Sequence, residues 1–448
     1  MTTLTLAALA ALGAPAQAEV LYDASQTNPA DTCKIVAVGN EVTFQGCNIN
    51  INNGSWSTAS ANGLGNLIVG YNENSNNATR VGSHNVVVGP QHEYTSYGAV
   101  ISGHSHAVTE RYGVALGGQG HLASGAFATV VGGYGSEATQ GYASVFGGAS
   151  NETSGRYATV SGGLANTATG DYAAVVGGEG NRAEGQSALA AGGTANTAFA
   201  TASVASGGSD NQALRSYTAI YGGSDGLADA QYAVVVGGYG GQGLGFYGLV
   251  LGGYEDRAES LYAVAMGGQG NVASGDRSVV VGGRESVASG ARASILGGYN
   301  SDATGNLATV CGGYQNHATG NHAVVSGGYQ NTASGLQASV SGGNQNEASG
   351  HFAHVSGGRF NDATGEAAVV TGGRDNTAAG INSAVLAGYL NSTDAATSHG
   401  SVCGGQSNDV QASYSTILGG QGNTTLGYGS VVLGSTNLTT TMNHQILP

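Results

Sequence analysis

The chain has 448 residues, 81 of them glycine, with 7% aromatic and 9% charged residues and only four prolines. That composition would read as disorder if nothing periodic ordered it. Acidic residues outnumber basic ones by 27 to 12, and the resulting charge of −15 and pI near 4.9 weigh against nucleic acid, anionic glycans and anionic membrane surfaces as partners.

Residues 1–18 carry an apolar run from Leu4 to Leu12 followed by Ala14-Pro15-Ala16-Gln17-Ala18, the pattern of a secretory signal peptide with cleavage expected before Glu19. The mature chain is therefore expected to be secreted or held at the cell surface. No other stretch has the eighteen or more apolar residues that a membrane helix needs, so no membrane-spanning segment is expected.

Residues 19–61 read as a non-repetitive N-terminal cap. Lys34-Ile35-Val36-Ala37-Val38 and Val42-Thr43-Phe44 flank Gly39-Asn40 and lie between Cys33 and Cys47, which predicts a hairpin clamped by a disulfide. An export route favours that bond, and closing a loop of this size stabilises by about 3 kcal/mol. Residues 62–101 show strand-like pieces (Leu67-Ile68-Val69, Val86-Val87-Val88, Ala99-Val100-Ile101) at unequal spacing, predicting irregular coils.

From residue 102 to 438 the chain is a repeat array. A Gly-Gly pair recurs every fifteen residues without slippage from Gly117-Gly118 to Gly372-Gly373. A fixed short period means identical coils stacked on one another. Numbering each unit from its first glycine, position 14 is an aliphatic column (Val130, Val145, Val160 through Val370). Positions 7 and 12 are mostly alanine. The alternation of 12 and 14 predicts a strand with a thin, small-residue interior. Corners are expected at Gly-Gly and at the glycine of Ala-Ser-Gly or Ala-Thr-Gly (Gly275, Gly290, Gly305), each needing positive φ. Position 5 is an asparagine column (Asn151, Asn166, Asn316, Asn331), suited to left-handed turns and to amide hydrogen bonds between coils. The pattern predicts an all-β fold, a parallel β-solenoid of 15-residue coils and a rod on the order of 100 Å long at ~4.8 Å per rung. A two-residue insertion is expected near Thr393 to Ser398, and the tail 439–448, lacking the period, is expected to cap or fray.

Two columns bear on assembly and binding. Position 15 has the opposite parity to 12 and 14 and faces outward. It reads Val131, Phe146, Ser161, Val176, Ala191, Ser206, Tyr221, Val236, Leu251, Met266, Val281 and Leu296, then Cys311, with Cys403 six coils further on; its apolar members and the two cysteines are the candidate oligomer face. An outward apolar column of this length predicts an oligomer face. Cys311 and Cys403 lie about 29 Å apart at ~4.8 Å per coil and cannot pair within one chain. Position 11 is an aromatic ladder (Tyr142, Tyr157, Tyr172, Tyr217, Tyr232, Tyr247, Tyr262), which reads first as structural stacking and second as a carbohydrate platform.

Units such as Ala143-Ser144-Val145-Phe146-Gly147, Ala338-Ser339-Val340-Ser341-Gly342 and Ser430-Val431-Val432-Leu433-Gly434 resemble the Ser-Val-Ala-Ile-Gly head repeats of trimeric autotransporter adhesins of the YadA type. The resemblance covers about three quarters of the chain. It implies a left-handed β-roll, a homotrimer, and attachment to a host surface, matrix or glycan ligand. Two features depart from that family. Its usual repeat has fourteen residues. Its coiled-coil stalk and β-barrel anchor have no counterpart in Asn443-His444-Gln445-Ile446-Leu447-Pro448 or the residues before them, so self-anchoring is not expected to carry over.

Other chemistry has weaker support. Gly-Gly-x-Gly stretches lack the nine-residue step and regular aspartate of calcium-binding repeats. His84, His92, His104 and His106 with Glu93 are compatible with zinc, but exposed loop histidines are the simpler expectation. No nucleophile–base arrangement concentrates anywhere, so neither an enzyme nor a cofactor is expected. A soluble ice-binding or glycan-binding solenoid is the alternative. Its ice-binding form is weakened because the hydroxyl row at position 8 (Ser274, Ser289, Thr304) has no second row beside it.

Overall fold

A computed structural model describes residues 19–23 and 33–448; the expected signal peptide lies outside them. Strand β1 (Glu19–Asp23) runs antiparallel to β2 (Lys34–Val38), which pairs in turn with β3 (Glu41–Gln45) through Gly39-Asn40. A disulfide joins Cys33 and Cys47 at the open end of that hairpin, as their spacing predicts.

The rest is a parallel β-solenoid of about 25 turns, and no helix occurs among the described residues. Each coil contributes to three faces. Positions 6 and 7 form one short strand, stacked in register from Glu93–Tyr94 to Thr439–Thr440. Positions 13 to 15 form a second, stacked from Leu67–Val69 to Ile446–Leu447. Position 3 forms a third line of single parallel bridges, for example Tyr299 to Tyr314 to Tyr329. Strand N–H groups donate to the following coil, as Glu152 does to Asn166 at 2.8 Å.

Coil length varies at the N-terminal end: equivalent residues are 19 apart at Asn66 and Asn85, 14 apart at His92 and His106, and 15 apart from His106 onward. Thus the irregular segment 62–101 already belongs to the stack. The expected insertion is present, with 17 residues between Asn391 and Asn408, and its extra residues take the place of the position-9 glycine around Asp394 to Thr397. The tail 439–448, expected to cap or fray, instead adds a further coil: Thr439–Thr440 and Ile446–Leu447 continue both sheets.

The interior is narrow. Ala138, Ala143 and Val145, and their counterparts along the rod, are fully buried, so positions 7, 12 and 14 do form the core. Two expectations about the corners are corrected. The position-9 glycines do not have positive φ; glycine is required there because a Cβ on Gly335 would overlap the carbonyl of Gly350 in the next coil. The asparagines of position 5 are not in left-handed turns either. Gly-Gly corners such as Gly147-Gly148 (φ 80° at both) do have positive φ, and the left-handed non-glycine residues of the repeats are at positions 4 and 11, such as Ser150 (φ 53°) and Tyr157 (φ 60°). At those corners the peptide reverses, and its N–H reaches back to the preceding coil: Ser150 donates to Tyr134 O at 2.9 Å and Tyr157 to Gly141 O at 3.2 Å.

Candidate functional surfaces

The position-5 asparagines point into the rod and are fully buried. Each is satisfied three ways. Asn346 Oδ1 accepts from Asn361 N–H at 3.0 Å, while its Nδ2 donates to Gly342 O at 2.9 Å and to Gly358 O at 3.1 Å. The side-chain amide thus welds each coil to the next, which fits the rule that buried polar groups are paired. The column is continuous from Asn316 to Asn423. It gives way to serine at Ser136, Ser286 and Ser301, to glycine at Gly226 and Gly241, and to Asp256, where Oδ2 has no partner and burial raises the carboxyl pKa.

At the N-terminal end histidines take over the same column, and the expectation of exposed loop histidines fails for His92 and His106 while holding for His104. His92, His106 and His121 are fully buried and stacked, with ring centroids 5.2 and 4.8 Å apart. His92 Nε2 donates to Val88 O at 3.1 Å and His106 Nε2 to Ser102 O at 3.0 Å, while Nδ1 of His92 and of His106 accept the backbone N–H of the next histidine. His121 Nδ1 accepts from Ser136 N–H. The ring nitrogens of His92 and His106 are committed to backbone groups rather than to a common centre. His84 is half-exposed and His104 exposed. Burial pushes His106 down to about 4, helped by the neighbouring rings of His121 and His92, and burial also lowers His92 and His121. The signal was in the sequence, but the 14-residue step between His92 and His106 puts it outside a strict 15-residue count.

The position-15 residues lie on the outside. Phe146, Val176, Tyr221 and Leu296 are 49 to 55% exposed and Val236 is 36% exposed, while Val131, Leu251, Met266 and Val281 are half-buried. Cys311 is exposed, Cys403 half-buried, and both are free thiols. Beyond Cys311 the column turns polar at Ser326, Ser341, Ser356 and Thr371 and becomes apolar again at Leu386, Leu418 and Leu433.

The position-11 aromatics stack as two ladders. Tyr112, Phe127, Tyr142, Tyr157 and Tyr172 have neighbouring centroids 4.8 to 5.0 Å apart; Tyr217, Tyr232, Tyr247 and Tyr262 form the second, at 4.8 to 5.1 Å. Ser187 and Ala202 separate them. Within a ladder each ring face is covered by the next ring, leaving edges and hydroxyls to solvent. A third set, at position 3, escaped the sequence reading although it has the same period: Tyr299, Tyr314 and Tyr329 stack at 5.1 and 4.9 Å, Tyr239 stacks on Tyr254, and Arg374 sits 4.3 Å over Tyr389. Beside it Gln315, His317, Gln330, Glu347 and Asp362 line an open groove of about 440 Å³. Asp362 there is raised to about 6, by burial first and then by the charges of Glu347 and Asp375. No protein-family model matches the chain, and no curated protein matches it.

Proposed function

We propose that the chain is an exported, non-enzymatic rod that mediates attachment to cells or surfaces, assembled as a parallel homotrimer in the manner of the YadA-type head repeats it resembles. The observation that carries this reading is the outward, mostly apolar column from Val131 to Leu296 on the face of the second sheet, interrupted by Ser161 and Ser206 and unbroken from Tyr221 to Leu296. Nine half-covered side chains at roughly 1 kcal/mol each would supply on the order of 10 kcal/mol toward association, comparable with its entropic cost. In a three-fold assembly Cys311 and Cys403, lying in the same column, would each sit near its own symmetry mates. The exposed surface and the small-residue interior support a display role over catalysis in a deep pocket.

Light scattering of the mature chain at micromolar concentration, with and without reductant, tests the assembly. Three chains' mass is expected, and one chain's mass in both conditions overturns it. Replacing Phe146, Tyr221, Leu251 and Leu296 by serine, as nature has done at Ser326 and Ser341, is expected to give monomers that keep the solenoid circular-dichroism signal and bind cells more weakly. Thermal hysteresis or saccharide binding by the purified chain, with no binding to cells or matrix proteins, would replace attachment by the ice- or glycan-binding alternative.

A further inference from the structure

We infer that the loop around Trp56 is a binding site for an uncharged saccharide. Trp56, the single tryptophan of the sequence, is 103% exposed, and among the described aromatic residues only Tyr71, at 95%, approaches it. The ladder aromatics have their ring faces covered by neighbouring rings, so stacking by a ligand is closed to them except at ladder ends; the indole has both faces in water. It is also held there. Its backbone is left-handed at φ 59°. Asn53, only 6% exposed, anchors the loop: Nδ2 donates to Ser60 O at 2.5 Å, Oδ1 accepts from Ser55 N–H at 3.0 Å, and its own N–H donates to His84 Nε2 at 3.3 Å. A large amphipathic ring presented on a pinned loop contributes contact area at little entropic cost.

The ring stands at a cavity of about 500 Å³ lined by Asn52, Asn53, Trp56, Ser57, Thr58 and His84. Amides, hydroxyls and one imidazole around one aromatic face match a pyranose, whose C–H face is apolar and whose rim is hydroxyl. The lining has no carboxylate, lysine or arginine, and the chain as a whole is strongly acidic, which selects a neutral sugar over a sulfated or sialylated one. The site precedes the first stacked strand, Leu67–Val69, and so belongs to the N-terminal end of the stack, where a surface-displayed rod would meet its target.

The inference deepens the attachment reading and rests on it for its role, but its chemistry can be tested alone because intrinsic tryptophan emission reports this one ring. The probes are methyl β-D-glucoside, methyl β-D-galactoside, methyl α-D-mannoside, N-acetylglucosamine and its β-linked dimer, with a heparin hexasaccharide as the anionic control. At least one neutral sugar is expected to shift emission to the blue saturably at up to about 50 mM, the range of weak single-site recognition. Trp56→Ala should weaken binding by calorimetry at least about tenfold and Trp56→Phe less, with neither changing the melting temperature, since the ring contacts only solvent. The inference is overturned if no neutral sugar shifts the emission, if Trp56→Ala binds undiminished, or if only heparin binds. It also fails if the free protein's emission is already blue-shifted in a concentration-dependent way, because a second copy then covers the indole. Lost attachment with an intact sugar response would sink the attachment reading and spare this site; the reverse result would do the opposite.

Discussion

The coils from Val114 to Val281 and those from Ser294 onward follow the same period but hold themselves together differently. In the first group the second strand usually spans positions 13 to 15, as in Val234–Val236 and Leu249–Leu251, and its outward column is mostly apolar. In the second group the strand spans only 13 and 14, as in Ser339–Val340, and between Ser326 and Thr371 the outward column is polar. The internal asparagine column behaves inversely: before Ser294 it is replaced at Ser136, Gly226, Gly241, Asp256 and Ser286, while beyond it only Ser301 precedes an unbroken run from Asn316 to Asn423. Stabilisation from inside the coil is thus richest where the outer surface offers least to a partner. If the front half gains its missing stability from association, internal defects there are tolerable, whereas the back half must stand on its own bonds.

The largest expected effect is inside the back half. Asn346→Ala would strip Asn361 N–H and the carbonyls of Gly342 and Gly358 of a buried partner. With each unmade bond costing about 1 to 3 kcal/mol, the loss is on the order of 3 kcal/mol or more. Hydrogen exchange should accelerate over residues 342 to 361 while the front half keeps its protection. Unchanged exchange would mean that the amide column follows from the stack without stabilising it.

Acid should divide the halves the other way. The His92–His106–His121 column performs the asparagine's duty with an imidazole, and a protonated Nδ1 would face the next N–H as a second donor. All three pKa values are lowered in the fold, chiefly by burial, and His92 additionally by the charges of Arg80 and His104. A depressed histidine favours the neutral form in the folded state. Its contribution is therefore complete above about 6.5 and is lost as the pH falls toward about 4, the value for His106. The loss for His106 is on the order of 2 to 3 kcal/mol. Front-half exchange or proteolysis should rise between pH 6.5 and 4.5, whereas the back half should gain protection as Asp362, raised to about 6, takes up its proton. Replacing all three histidines by asparagine should flatten that response.

Much of this was legible in the sequence because a period turns each position into a column. The core at positions 7, 12 and 14 and the outward parity of position 15 follow from strand alternation alone. What stayed hidden is what alternation does not encode. Left-handed corners at positions 4 and 11 accept Tyr157, Gln330, Leu307 and His322 alike, so residue type gives no sign of them, and the asparagines that look like turn residues are core. The position-9 glycine answers to a carbonyl in the neighbouring coil, a contact between residues fifteen apart. The Trp56 loop lies outside the repeat, where no column exists to read.

A more moderate effect is expected in the front ladder. Serine at Tyr142, Tyr157 and Tyr172 would remove the stacked pairs running from Phe127 to Tyr172, each contributing roughly 0.5 to 1.5 kcal/mol beyond area burial. A lower melting temperature with ligand binding retained marks the ladder as structural. Unchanged stability with lost binding would make it a ligand surface.

The smallest effect separates the two halves most directly, because it tests the corner where they differ. In the front half the first glycine of the pair is left-handed, with φ +66° at Gly252, and its N–H reaches back to Val236 O at 2.7 Å. Toward the C-terminal end the same corner opens: φ is +157° at Gly312, essentially extended, and lies outside the left-handed range at Gly342 and Gly357. At Gly252 and Gly357 alike a Cβ would meet nothing within 4 Å, so space is not the issue and backbone conformation alone decides. Gly252→Ala should therefore cost about 1 to 2 kcal/mol, the penalty of a left-handed non-glycine residue. Gly357→Ala should be neutral or stabilise by roughly 0.4 to 1 kcal/mol, because alanine narrows the unfolded ensemble without straining the fold. Paired urea melts of the two variants are the measurement. Equal destabilisation would mean that both halves share one corner geometry in solution, and the front half's longer strand would then need another cause.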